Sequence, residues 1–461
     1  MARAAKKETV LTPEEKLAQA LVPEEDQPYQ VPENWCWVTL GGITQVIGGG
    51  TPSSGNPDYY EGGNIPWISP ADLSNYDDMF ISNGAKSITE LGLAKSSARM
   101  LPKGTVCLSS RAPIGYVVIA ANPLSTNQGF KSFLPSPSYV PQYLYWYLKG
   151  NKELLESRAS GTTFLELSGS KAATIECPLA PLAEQQRIVD RIESLFAKLD
   201  EAKEKAQAVV DEYDGIRQAF LYQAFYGNLT AKWREKQGIQ KEESWEIKTL
   251  QSVCVMKITD GTHKTPTYCD SDTGIPFVSS KDVTSGMICW DNIKYIVPEL
   301  HEELYERLAP QVDDVLLAKN GTTGVAAIVE EEKVFDLYVT LAVLRPNKEI
   351  IDPRYLLNVV NSPICKRQFD EHLTGIGVPN LHLRDIKEVE IPLPSLAEQK
   401  EIARIIDAMS EKWNEAKASA EKVIDRVDTM KKSILARAFR GELGTNDPAD
   451  ESAEELLKRI L

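Results

Sequence analysis

Two stretches of the chain, residues 182–229 and 396–443, align without a gap at an offset of 214, and 19 of their 48 positions are identical. Both open on Leu-Ala-Glu-Gln, at Leu182 and at Leu396, and both close on an Ala-Phe-x-Gly-x-Leu run. A fixed repeat of this length must be read before anything else, because it constrains the whole architecture. The apolar positions run Ile188, Ile192, Leu195, Leu199, Ala202, Ala206, Val209, Tyr213, Ile216, Phe220 in the first copy. In the second they run Ile402, Ile406, Met409, Trp413, Ala416, Ala420, Val423, Val427, Met430, Ile434. Steps of four and three alternate throughout, which is the 3.5-residue period of a coiled-coil seam. Pro178 and Pro181 precede the first copy, and Pro392 and Pro394 the second. Gly227 and Gly441 stand where helix-ending glycines belong. Each stretch predicts a helix of about 65 Å at 1.5 Å per residue. Two such helices in one chain predict an antiparallel pair, with the Ala202/Ala206 and Ala416/Ala420 layers allowing close approach.

The repeat continues upstream. Trp35-Cys-Trp-Val-Thr-Leu matches Trp245-Glu-Ile-Lys-Thr-Leu, and Ile65-Pro-Trp-Ile-Ser matches Ile275-Pro-Phe-Val-Ser, each followed by an aspartate, Asp72 or Asp282. Ser-Ser-Arg-Ala-Pro-Ile-Gly115 parallels Ala-Lys-Asn-Gly-Thr-Thr-Gly324. The chain therefore reads as two copies of a mixed globular domain followed by a long helix. Runs at 117–120 and 325–329 predict strands, and 143–148 and 355–360 predict short helices. The predicted fold class is α+β: two tandem mixed α/β recognition domains, each followed by a long helix, paired with pseudo-two-fold symmetry. The boundaries are an extension at 1–33, a first domain at 34–178 and a first helix at 179–229. A second domain follows at 230–392, with a linker at 230–244, then a second helix at 393–443 and an acidic tail at 444–461. Residues 13–21 predict a short amphipathic helix that covers a partner or packs back on the chain.

Composition narrows the function. No run of about 18 apolar residues is present, so no membrane-spanning helix is expected. Seven scattered cysteines form no Cys-x-x-Cys, and four histidines form no metal-binding pattern. That argues against a zinc site and for a reducing, cytoplasmic setting. The net charge of −15 is awkward for a nucleic-acid binder, although it limits only the average field. Residues 182–226 carry nine carboxylates against six cations, so this helix is expected to face partners or solvent rather than phosphate. The tail is expected to be solvated. Residues 48–55, Gly-Gly-Gly-Thr-Pro-Ser-Ser-Gly, lack the Gly-Lys-Ser/Thr of a phosphate loop. They read as a loop near a ligand or as a plain turn.

Duplicated domains on an antiparallel ruler suit a target with two separated half-sites, as B-DNA offers. At this point the motif set, PLAEQQRIV and PSLAEQKEIA, AFYGNL and AFRGEL, IPWIS and IPFVS, and LVPEEDQPYQVPENW, resembles the specificity subunit of type I restriction-modification systems. The resemblance spans nearly the whole chain. It implies that each domain reads one half of a bipartite double-stranded DNA site, while the helices set the spacing. It implies that the helices dock two methyltransferase subunits, that motor-nuclease subunits can join, and that this chain performs no bond chemistry. It implies no cofactor here and S-adenosylmethionine in the partner. The residues agree as far as they go: there is no base-flipping methyltransferase tetrapeptide and no Gly-x-Gly-x-x-Gly after a strand. The alternative is a non-catalytic coiled-coil scaffold with duplicated binding domains and no DNA role.

Base reading uses polar and cationic side chains on loops. In the first domain Thr51, Ser53, Ser69, Ser110, Arg111, Asn127, Gln128, Lys131, Arg158, Thr162 and Thr163 lie beside turn signals. In the second, His263, Lys264, Ser279, Lys281, Lys319, Asn320, Thr322, Thr323, Asn380, His382 and Arg384 stand in corresponding places. Any one of them can equally be a solvated loop residue. For partner docking, Leu182, Glu184, Gln185, Leu396, Glu398 and Gln399 head the helices identically, and Phe225 and Phe439 end them identically. Capping and local packing is the competing role for these.

Overall fold

The computed structural model describes residues 12–161, 165–283, 286–373 and 379–461, with Glu242 and Glu243 described by backbone only. The long helices span Leu182–Phe225 and Leu396–Ala438, 44 and 43 residues. Gly227 and Gly441 follow them with φ of 79° and 72°, the left-handed conformation that closes a helix. The chain divides into two compact units, and both boundaries fall inside these helices: Met1–Lys205 with Val423–Leu461, and Ala206–Lys422. Each unit therefore combines the beginning of one long helix with the end of the other. In the first unit Lys431 Nζ lies 2.5 Å from Asp200 Oδ1 and above the Phe196 ring. In the second, Phe220 packs edge-on against Trp413 at 4.8 Å, and Tyr213 donates to Asn414. Numbering rises on one helix as it falls on the other, so the pairing is antiparallel in each unit.

The predicted seam is partly realised. Ile188, Ile192, Ile402, Ile406, Ala206 and Ala420 are buried, but Val209, Ile216, Val423 and Met430 are 41–49% exposed. A straight helix drifts by about 20° per heptad against a 3.5 repeat, so a sequence seam need not stay at the interface along its whole length. Two of the exposed positions are equivalent in the two copies, Val209 with Val423 and Ile216 with Met430, while Ala416 is exposed in the second copy only and its counterpart Ala202 is half-buried.

Each unit holds one recognition domain built on one plan. In the first, Val106–Ser110 is flanked antiparallel by Ile114–Ala120 and Phe130–Phe133; Val46–Gly48 and Phe80–Ile81 complete a five-stranded sheet. A small sheet sets Ile65–Ile68 between Lys86–Ile88 and Ser125–Thr126. The second repeats this with Val315–Ala318 between Ala326–Ile328 and Leu341–Leu344, and Thr259–Asp260 at the edge. Its small sheet sets Ile275–Val278 between Lys294–Ile296 and Asp336–Leu337. The start and finish of each domain pair antiparallel: Cys36–Thr39 with Glu176–Leu179, and Glu246–Thr249 with Glu390–Leu393. This pairing delivers the chain to the head of the long helix. The expected short helices are Pro141–Gly150 and Pro353–Val360, each with proline in its first turn, where a missing N–H costs nothing. Tyr143 and Tyr355 from these helices are fully buried and donate to Pro178 O and Pro392 O at 2.7 Å.

The Glu-Gln pairs of the Leu-Ala-Glu-Gln heads, expected as docking residues, are buried in joints within each unit, while Ala183 and Ala397 beside them are exposed. Glu184, Gln185, Glu398 and Gln399 are wholly inaccessible. Gln185 accepts from Val140 N at 2.8 Å and donates to Ser138 O and Ala180 O; Gln399 accepts from Asp352 N at 2.8 Å and donates to Ile350 O and Pro394 O. Glu184 accepts from the Trp35 indole at 2.7 Å, and Glu398 from the Trp245 indole at 3.1 Å. Leu182 and Leu396 are half-buried, while Phe225 and Phe439 are buried against Tyr355 and Tyr143. The identity at the helix ends is thus explained by burial: a carboxylate and an amide with no access to water must have all their bonds supplied by protein.

The tail, expected to be solvated, and the linker at 230–244 are both built into these joints. The tail folds as a helix, Ala453–Ile460, capped by Ser452 and Glu455, and it buries Ala453, Leu456 and Leu457 at helical spacing. Asn446 donates to Glu184 at 2.9 Å, and Arg187 pairs with Asp450. The helix Pro13–Ala20 packs back on this tail, with Lys16 Nζ 2.8 Å from Leu461 O. In the second unit the linker forms helices Ala231–Gln237 and Lys241–Ser244. Thr230 donates to Glu398 at 2.6 Å, and buried Arg234 pairs with the same carboxylate. The tail's charge run suggested solvated chain; its apolar i, i+3, i+4 spacing and the buried acceptor at the helix head decide otherwise. Glu398→Ala is expected to lower stability by about 3–5 kcal/mol, because Arg234 is left charged and buried. Urea unfolding followed by tryptophan fluorescence measures it.

Candidate nucleic-acid interface

A set of backbone hydrogen bonds recurs in both domains and gathers their loops at one end of the main sheet. In the first domain Gly50 N bonds Thr126 O at 2.9 Å, Asn127 N bonds Ile68 O at 2.9 Å, and Leu167 N bonds Ser110 O at 2.9 Å. In the second Thr262 N bonds Leu337 O at 2.9 Å, Tyr338 N bonds Val278 O at 2.9 Å, and Leu381 N bonds Lys319 O at 2.8 Å. The sheet strands end here, so the segments that follow are free to vary in side chain while the main chain is fixed. Close approach requires glycine in both: a Cβ on Gly49 would stand 1.9 Å from Asn127 O, and one on Gly261 2.0 Å from Leu337 O. The run at 48–55 is therefore pinned to the sheet end at its start. Gly49 and Gly261 are equivalent in this frame, and so are Gly50 and Thr262.

The predicted polar residues divide into two groups. Thr51, Ser53 and Gln128 are exposed at the first domain's loop end. His263, Lys264, Lys281, Thr322, His382 and Arg384 are exposed in the second. Asn127, Arg111, Asn320, Thr323 and Asn380 are half-buried; Asn127 Oδ1 accepts from Gly129 N at 2.8 Å, and Asn320 bridges Asn380. Thr162 and Thr163 lie outside the described residues.

The other residues serve the frame. Ser69 and Ser279 donate to Asp72 and Asp282 at 2.7 Å, making the same cap in the two copies. Partial burial pushes the Asp72 carboxyl up, but hydrogen bonds from Ala85 N and from Ser69 outweigh it and hold it below its usual value. Ser110 is fully buried and donates to Gly129 O. Arg158 makes a two-pronged pair with Glu176 at 2.8 Å, at the foot of the domain rather than at its loop end.

One buried lysine lies at each loop end, and a carboxylate that the sequence reading did not single out holds it. Lys131 reaches Ser110 Oγ at 3.2 Å and Glu166 at 3.5 Å; Arg111 approaches the same carboxylate at 3.9 Å. Lys319 reaches Asp260 at 3.2 Å, and His263 approaches that carboxylate at 3.3 Å. Arg307 donates to Asp260 O at 2.9 Å. Nearby, buried Asp336 meets His301 Nδ1 at 2.7 Å, and burial raises its carboxyl above the usual value against the opposing pull of that histidine. Nothing in one-dimensional spacing links Lys319 to Asp260, 59 positions away; the sheet end brings them together.

Two loop surfaces built on one frame and furnished with different side chains define a tandem-repeat protein with two separately specified surfaces. The chain belongs to the type I restriction modification DNA specificity domain family, whose profile matches residues 32–210 and again 242–423. It is 29% identical over 419 residues to the type I restriction enzyme MjaIX specificity subunit of Methanocaldococcus jannaschii, covering 90% of this chain and 94% of that one. To the EcoKI specificity subunit of Escherichia coli K12 it is 24% identical, covering 94% and 96%. Its fold is similar to that of the HsdS subunit from Thermoanaerobacter tengcongensis, with a TM-score of 0.66 at 20% identity over 90% of this chain and 99% of that one.

The division into frame and exposed residues has a measurable consequence. Lys319→Met is expected to cost about 3 kcal/mol of stability, since Asp260 stays buried with its main partner gone. Arg384→Ala and Gln128→Ala, both exposed, are expected to stay within about 0.5 kcal/mol of the parent. Thermal melts of the three variants make the comparison.

Proposed function

We propose that this chain is the DNA specificity subunit of a type I restriction-modification complex, in which each recognition domain reads one half of a bipartite site. The observation that carries the reading is the shared frame with divergent furnishing. The hydrogen bonds that place the loops are the same in both domains, while the exposed side chains differ: Thr51, Ser53 and Gln128 against His263, Lys264, Lys281, His382 and Arg384. Two unlike half-sites call for that arrangement, because phosphate contacts position a protein and side chains on base edges specify the sequence.

In this reading the chain does no bond chemistry. Two methyltransferase subunits, holding S-adenosylmethionine, methylate the sites it selects, and motor-nuclease subunits can join. With a net charge of −15 and its buried cations paired internally, the chain depends on its partners for much of the phosphate grip. The exposed Val209, Ile216, Val423 and Met430 replace the helix heads as the apolar positions open to a partner.

Methylation mapping of DNA from cells carrying this chain with its methyltransferase, against cells lacking it, tests the proposal. The expected result is a split motif of fixed gap with adenine methylated in both halves. Replacing residues 34–178 by the equivalent domain of a relative is expected to change one half and leave the other. Absence of new methylation despite a confirmed complex would favour a scaffold without DNA specificity.

A further inference from the structure

The two units contain the same depression, and only one of them is filled. In the first unit it lies beside Gly150 and Asn151 and the helix end Leu435, Ala436, Phe439 and Arg440. Tyr29, from the segment before the domain, occupies it. The Tyr29 ring stands edge-on to Trp37 at 4.8 Å, its hydroxyl donates to Phe439 O at 3.1 Å, and its own carbonyl accepts from the Trp37 indole at 3.0 Å. The Arg440 guanidinium lies 5.2 Å from the ring. About 120 Å³ of space remains.

At the repeat offset of 214, Phe439 corresponds to Phe225, Ala436 to Tyr222 and Arg440 to Tyr226; at 210, Trp37 corresponds to Ile247. The equivalent depression of the second unit measures about 690 Å³ and is lined by Tyr222, Phe225, Tyr226, Trp245, Ile247 and Pro363 among others. Among the described residues, no tyrosine from the segment before the domain enters it. The position matching Tyr29 is Ile239, whose N–H bonds Arg234 O in the turn after Ala231–Gln237. The walls are left in solvent: Ile247 is 63% exposed where Trp37 is 2% exposed, Tyr226 is 47% and Tyr222 40% exposed. Tyr222 and Tyr226 stack at 4.4 Å, and the Lys241 ammonium lies 5.5 Å from the Trp245 ring. A concave aromatic patch of this size with a few polar groups at its rim is the usual form of a recognition site.

We propose that this groove receives an extended segment of a partner protein that presents a proline-flanked tyrosine, in the pose that Pro28-Tyr29 adopts in the first unit. The tyrosine ring covers Ile247, and its hydroxyl donates to the Phe225 carbonyl, one of the last four of its helix and so without a partner inside that helix. A second copy of the chain is a poor source, because its own Tyr29 is already half-buried and bonded in its first unit. The proposal is independent of the DNA-reading assignment.

The test uses the full chain and a fluorescein-labelled peptide of residues 24–31, Glu-Glu-Asp-Gln-Pro-Tyr-Gln-Val, followed by anisotropy. Saturable binding is expected, weakened about tenfold or more by Ile247→Glu in the chain and by Tyr→Ala in the peptide. Ile247 is mostly exposed, so the variant should keep its melting temperature, which is measured alongside. Binding that does not saturate by about 1 mM peptide, or that is indifferent to Ile247→Glu, overturns the groove as a site. In the reconstituted complex, a benzophenone amino acid at position 247 should cross-link to an aromatic segment of a partner subunit. Cross-linking to residues 24–31 of a second copy would overturn the partner assignment. A failure of methylation would leave the peptide titration unchanged, so the two readings fail separately.

Discussion

The fold depends on a buried carboxylate at the head of each long helix. Glu184 and Glu398 have no contact with solvent, and each is bonded by the tryptophan indole just before its own domain's first strand, Trp35 or Trp245. Each is also bonded by the segment that follows the other long helix: Asn446 and Thr445 on Glu184, Thr230 and Arg234 on Glu398. A carboxylate removed from water is costly unless its lone pairs are filled, so these donors must be in place for the joint to exist. The partnering is reciprocal, and it makes each compact unit a composite of both sequence repeats.

That reciprocity explains why residues 445–461 and the helix Pro13–Ala20 are structured. The tail supplies the donors for Glu184, and the short helix Pro13–Ala20 packs on that tail. In the second unit residues 230–244 play the tail's part, and the cation of Arg234 replaces the neutral amide of Asn446. The same position in the pseudo-symmetric plan is thus solved once by a hydrogen bond between unlike neutral and charged groups and once by an ion pair.

The frame at the loop ends separates two jobs that one residue type can perform. Lysine and serine there are found in both roles: Lys131, Lys319, Ser69, Ser110 and Ser279 hold the frame, whereas Lys264, Lys281 and Ser53 face solvent. Residue chemistry cannot sort them, because the distinction is burial. The same applies to the helix heads, where identity between copies looked like a surface and proved to be a joint.

Duplication, the helix lengths, their glycine ends and the α+β class were determined by the sequence alone, because periodicity, proline and glycine act locally. The correspondence of strands was also legible, since Ile65-Pro-Trp-Ile and Ile275-Pro-Phe-Val share an alternation and a closing serine-aspartate cap. Tertiary structure decided what separation in sequence hides. It put Asn446 against Glu184 across 262 positions, drew Asp260 to Lys319, exposed half the predicted seam's centre at Val209 and Ile216, and filled one of two equivalent grooves with Tyr29. Those outcomes depend on which surfaces the folded chain brings into contact and so removes from water, a property of the assembled structure that no local pattern carries.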